Sequence, residues 1–216
     1  MHSARMAQFP TMNQNTLTAS TEYIGVILAG GKSSRMGQDK ATLCINGESL
    51  LLRTRNTLIN AGCTQILLSG FVRPGWNDVV IPDLYPNSGP VGGIVSTLQR
   101  LMNSGISQKI VLFVPIDAPL LSSELLASMM NTASEIGCFM SESPMPFVLK
   151  TNENVFKQLA LTISDIRAGK SCSVKRFIER LNLMTIPSTD ARISQLLNVN
   201  TPAEWEGVCR ELKNRT

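Results

Sequence analysis

Histidine is all but missing from this chain: the one imidazole among 216 residues belongs to His2. That excludes Ser-His-Asp and Cys-His nucleophilic catalysis, and His-ligated metal sites, from the body of the protein. Catalysis must rest on Asp, Lys, Arg and backbone groups. Cysteine is sparse and scattered. Cys44, Cys63, Cys138, Cys172 and Cys209 are odd in number and form no CxxC pair, so neither a zinc cage nor a disulfide framework is indicated, and they read as reduced thiols of a cytoplasmic protein. An excess of one charge is lacking too. Twenty Lys+Arg against sixteen Asp+Glu leave a formal +4, which argues against nucleic acid and membrane surfaces as partners but leaves small anions open. Residues 1–22 are polar, without the apolar run of a signal peptide or membrane span. They read as a flexible tail, with Met6 and Met12 as alternative starts and a vector remnant as the other reading.

With 43% apolar and 17% charged residues, the chain can bury a sizeable core, and disorder is excluded as its dominant state. The run Tyr23 to Leu28, ending in Ala29-Gly30-Gly31, predicts a strand buried on both faces that stops in a glycine turn. Further strands are predicted at Gln65 to Ser69, Val79 to Ile81 and Lys109 to Val114, with short extended pieces at Phe139-Met140 and Phe147 to Leu149. Helices are expected from Ser49 to Gly62, over Ile94 to Met102, after Ser122 or Ser123, and after a cap at Ser171. Leu196 to Asn200 reads as a last strand, followed by a capping box at Thr201-Pro202-Ala203-Glu204. Alternation of strand and helix predicts an α/β fold: a doubly wound, mainly parallel sheet flanked by helices in one domain over 23–216. Ligands of such sheets sit beyond the carboxyl ends of the strands.

Two segments fall at that edge. Gly30-Gly31-Lys32-Ser33-Ser34-Arg35-Met36-Gly37-Gln38-Asp39-Lys40 brings glycines, hydroxyls and cations directly after the first strand. Freed backbone N–H groups can wrap a phosphate chain there, with Arg35 and Lys40 adding charged hydrogen bonds. Gly31-Lys32-Ser33 matches the end of a P-loop, but the first glycine would fall at Val26, and no G-x-G-x-x-G follows. Asp117, between Pro115 and Pro119 after the most hydrophobic strand, reads as a carboxylate holding Mg²⁺ against phosphate oxygens rather than as a turn-forming cap. Asp83, Asn198 and Asn200 are weaker signals. The two asparagines would share a face if extended, and the alternative is turn chemistry. Ser88-Gly89-Pro90-Val91-Gly92-Gly93 either brings backbone close to a nucleotide or forms a tight turn.

LAGGKSSRMGQDKA, PDLYPNSGPVGG, VPIDAPLL and NVNTPAE occur in an order and spacing that resembles the molybdenum cofactor guanylyltransferases (the MobA family), within the wider LAGG-type nucleotidyltransferases. The likeness covers about residues 24–212. It implies a Rossmann-like nucleotidyltransferase fold and transfer of GMP from GTP to molybdopterin carrying molybdenum, with release of pyrophosphate. It implies that Leu28, Ala29, Gly30 and Gly31 contact the nucleotide through backbone, that Arg35 and Lys40 bind phosphates, that Asp83 fixes the nucleoside and that Asp117 holds magnesium. Asn198 and Asn200 would lie near the reacting groups or the pterin. Ser69 stands at a base-contacting position where many relatives carry Asn. Transient contact with molybdoenzymes or cofactor-synthesis proteins is implied as well. The rivals are a cytidylyl- or other nucleotidyltransferase with a different phosphorylated acceptor, and a non-catalytic nucleotide-binding regulator.

Overall fold

In the computed structural model, the described residues are 23–30, 37, 39–133 and 136–213. Tyr23–Leu28 forms β1, an interior strand of a seven-stranded sheet ordered β5-β4-β1-β6-β8-β7-β9, where β4 is Gln65–Ser69, β5 Val79–Ile81, β6 Ile110–Pro115, β7 Gly137–Met140, β8 Ser143–Lys150 and β9 Met184–Ile186. A separate hairpin pairs β2 (Cys44–Ile45) with β3 (Glu48–Ser49). β1 runs parallel to β4 and β6, and β4 parallel to β5. β8 is antiparallel to both β6 and β7, and β9 returns parallel to β7.

Side chains of a strand alternate between faces, and here both faces are covered. Ile24, Val26 and Leu28 of β1 with Val111 and Phe113 of β6 enter one core, against α2 (Pro90–Asn103), α4 (Glu153–Arg167) and α5 (Val174–Leu181). Ile27, Leu112 and Val114 enter the other, against α1 (Leu50–Asn60) and α3 (Ser123–Thr132). That is why the strands are apolar throughout rather than alternating. The parallel strands β5, β4, β1 and β6 end at the same edge of the sheet, which is where the loops of interest begin.

Helix starts follow side-chain caps. Ser49 accepts from the Leu52 N–H, Ser122 from Leu125 and Asn152 from Val155. The fifth helix is opened by Ser173, accepting from the Arg176 N–H, and not by Ser171. Both serines precede the apolar row, but it is the Ser173 hydroxyl that receives a first-turn N–H. α4 packs Val155 and Leu159 into the core with Phe156, Ile163 and Ile166 half-buried beside them, and its inward row also carries Thr162 and Asp165.

The expected strand at Leu196 to Asn200 does not form. Leu196 closes a 3-10 helix (Ser194–Leu196) that follows α6 (Asp190–Ile193), and Leu197 is exposed. Leu196 and Val199 are buried in different apolar clusters, so the apolar run is divided between two contacts and not laid along a ladder. The Val199 N–H instead donates to the Asp117 carbonyl at 2.7 Å. Beyond it, α7 (Pro202–Lys213) opens on the expected capping box: the Glu204 N–H donates to Thr201 Oγ1 at 3.3 Å, and Glu204 Oε2 accepts from the Thr201 and Asn200 N–H groups at 2.9 and 2.7 Å. Those two bonds hold the Glu204 carboxyl below its ordinary range.

Candidate active site

The carboxyl ends of β1 and β6 meet around one cation. Lys40, first residue of the 3-10 turn Lys40–Thr42, donates from Nζ to Asp117 Oδ2 at 2.9 Å and to Asn200 Oδ1 at 2.8 Å. Three chain segments, 77 and 160 residues apart in sequence, thus converge on one ammonium. Asp117 sits two residues past β6, and the Val199 bond to its carbonyl draws the segment before α7 alongside it. Asn200 is then fixed from behind by Glu204. The Lys40 and Asp117 side chains keep 13% and 21% of their surface exposed, enough for a ligand to reach them and too little for water to screen them fully.

The remaining sequence-derived positions divide. Asn198 is exposed, outside the Lys40 cluster. Asp83 Oδ1 accepts from the Tyr85 N–H at 2.9 Å and Ser96 Oγ at 3.4 Å, so it braces the loop after β5 against α2. The fit is close: a Cβ on Gly92 would stand 2.7 Å from the Tyr85 carbonyl oxygen and 2.9 Å from Asp83 Oδ1. Ser69 is buried, its hydroxyl has no partner, and it lies against Gly93 of α2. Gly31 and Arg35 lie outside the described residues, as does the tail over 1–22.

Backbone groups at the end of β1 are already partly engaged. The Leu28 carbonyl accepts from the Ile116 N–H at 3.2 Å, and the Ala29 N–H donates to the Ser69 carbonyl at 3.0 Å. Gly30 passes beside Gly70, whose φ of +137° places a hypothetical Cβ 3.2 Å from the Gly30 nitrogen. Only glycine accommodates both the angle and the approach.

Two residues were not legible as site residues. Asp39 caps the Lys40 turn, accepting from the Ala41 N–H at 3.1 Å. Arg73, from the loop after β4, is 4% exposed and donates to Asp39 Oδ2 at 2.8 Å and to the Ala29 carbonyl at 2.7 Å. Asp39 beside Lys40 carries a recognisable N-cap signal. Arg73 carries none, because a lone Arg between Val72 and Pro74 looks like surface until its burial is known.

A metal would find one carboxylate here. Among the described residues no group of three or more His, Cys, Asp or Glu side chains gathers, which rules out a closed protein cage there. A single partly exposed carboxylate does fit Mg²⁺, which keeps waters and takes its other oxygens from phosphates. A separate cavity of about 580 Å³ lies between Pro86 to Val91 and the turn before α5. Among the described residues no helix is long and apolar enough to cross a membrane.

Known proteins resemble this chain in sequence and in fold. A model of the MobA-like NTP transferase domain matches residues 25–180. The chain is 32% identical over 195 residues to the molybdenum cofactor guanylyltransferase of Xanthomonas euvesicatoria pv. vesicatoria, covering 90% of this chain and 98% of that protein. Its identity to the molybdenum cofactor guanylyltransferase of Rhizobium meliloti is 30% over 198 residues, covering 83% and 87%. Among solved structures, molybdopterin-guanine dinucleotide biosynthesis protein A from Archaeoglobus fulgidus superposes with a TM-score of 0.65 at 17% identity, over 90% of this chain and all of that one. A nucleotidyl transferase from Methanothermobacter thermautotroptrophicus gives 0.64 at 16%, over 90% and 99%. At those identities the two structures speak for the fold alone.

Proposed function

The chain belongs to the family of MobA-like NTP transferase domains, and from that premise we propose that it transfers GMP from GTP to molybdopterin carrying molybdenum, releasing pyrophosphate. The observation that carries this reading is the Lys40 ammonium held between Asp117 and Asn200 where β1 and β6 end. Relatives of 30–32% identity named as molybdenum cofactor guanylyltransferases support the choice of nucleotide and acceptor.

The reaction is an in-line displacement at the α-phosphorus of GTP by the terminal phosphate of the acceptor. That nucleophile is ionised at neutral pH, so no general base is required, which accords with a core lacking histidine. Acceleration then comes from positioning and charge neutralisation. Lys40 offers its ammonium to the phosphate chain, and Asn200 orients it. Arg35 is assigned to the phosphates as well, on the sequence motif. Asp117 would hold Mg²⁺, which supplies Lewis-acid polarisation of phosphoryl oxygens when bound.

The test measures pyrophosphate release from GTP, CTP and ATP, each with molybdenum-bearing molybdopterin and with a sugar phosphate as acceptor. Release with GTP and the molybdopterin acceptor is expected. Turnover with CTP, or with the sugar phosphate alone, would reject the reading, as would GTP binding without turnover on any acceptor.

A further inference from the structure

Arg73 is the most deeply buried cation described in the molecule, and the reaction proposed above gives it no task. Its side chain bridges Ala29, just past β1, and Asp39, just before the Lys40 turn. At the leaving end Nη2 donates to the Ala29 carbonyl at 2.7 Å. At the returning end Nε donates to Asp39 Oδ2 at 2.8 Å, with Nη2 3.4 Å from Asp39 Oδ1. Nη1 donates to the Phe71 carbonyl at 3.3 Å, and the Phe71 ring covers the guanidinium 4.0 Å from its centroid. The fork is thus used on three sides and stacked on a fourth. A lysine, with one point charge on a flexible stem, cannot reproduce that.

Asp39 passes the constraint on. Its carboxylate receives Arg73 and also caps the turn whose first residue is Lys40. One covalent link therefore separates the Arg73 clamp from the ammonium that Asp117 and Asn200 receive.

We propose that Arg73 is a positioning residue for nucleotide transfer: by tying Ala29 to Asp39 it fixes the place from which Lys40 meets the phosphates. This rests on the reading of the site as a nucleotide site. It requires no contact between Arg73 and substrate.

The experiment titrates a fluorescent GTP analogue into the full-length protein, with thermal melts alongside, in wild type, Arg73→Met, Lys40→Ala and the double variant. Arg73→Met is expected to weaken nucleotide binding about tenfold in the wild-type background and less than twofold in the Lys40→Ala background, because the clamp acts through Lys40. A residue of merely structural importance would weaken binding equally in both backgrounds, and that result overturns the proposal. So does unchanged affinity in Arg73→Met. Asp39→Asn guards against a variant that fails to fold, since Asn still caps the turn while losing the charge that Arg73 grips. It is expected to weaken binding as Arg73→Met does, and wild-type affinity in Asp39→Asn overturns the proposal as well. Failure of the underlying functional reading is visible separately, as absence of nucleotide binding in the wild type.

Discussion

Lys40 and Asp117 form an ion pair, so replacing either removes that pair from a partly buried site. For a pair of intermediate exposure that costs about 1–2 kcal/mol of stability, between the values for surface and buried pairs. The catalytic loss should be far larger. Removing one preorganised electrostatic contact to a transition state typically lowers turnover about 100- to 1,000-fold. Lys40→Ala and Asp117→Ala are each expected to show both effects, read by pyrophosphate release and thermal melts. Near-normal turnover in either variant would reject its role. At the same scale, burial pushes the Cys63 and Cys138 thiols up to about 12, so these cysteines are inert packing residues in the folded protein.

Among the elements, α4 and α5 are joined by a carboxylate that the apolar pattern concealed. Asp165 of α4 accepts from Lys170 in the connecting turn at 2.9 Å and from Arg180 of α5 at 2.5 Å. The Lys170 hydrogen bond first, and the Arg180 bond second, lower its carboxyl from 3.8 to about 2. A carboxyl depressed in the folded state stabilises the fold above its unfolded value and loses that contribution as pH falls through the folded one. The melting-temperature advantage of wild type over Asp165→Asn should therefore hold steady above about pH 4 and shrink as pH approaches 2. An advantage that stays constant down to pH 2 would show that the two cations contribute nothing through charge. α4 has no counterpart among the helices expected from the sequence, although Asn152 caps it and Val155, Leu159 and Ile163 face the core, whereas α1 and α3 announced themselves through Ser49, Ser122 and their leucines.

For the molecule as a whole, the crevice is assembled from three loops that meet only on folding, so a ligand bridging them binds the native state and not the unfolded chain. Ligand at about 100 times its dissociation constant adds about 2.7 kcal/mol, which for a chain of this size raises the melting temperature by about 5–10 °C. GTP with Mg²⁺ is expected to give that shift, with CTP and ATP giving less and EDTA reducing the GTP effect. Equal shifts from all three nucleotides would remove the basis for guanine preference.

The continuous apolar runs at Tyr23–Leu28 and Ile110–Pro115 were sufficient to announce a sheet covered on both faces, because burial on two sides needs no partner to be visible in the chain. Asp117 followed from standing just past the second run, and Lys40 from closing the glycine-bearing segment that leaves the first. What lay beyond reach depended on distant contacts: the segment before α7 is irregular because Val199 is spent on the Asp117 carbonyl, and Asn200 enters the site for the same reason. Arg73 acquired its place only when burial among Ala29, Asp39 and Phe71 gave a surface-like residue partners that no local pattern encodes. Local periodicity records which face of an element is apolar; which ends of the elements share a crevice is set by the packing of the two cores around the sheet.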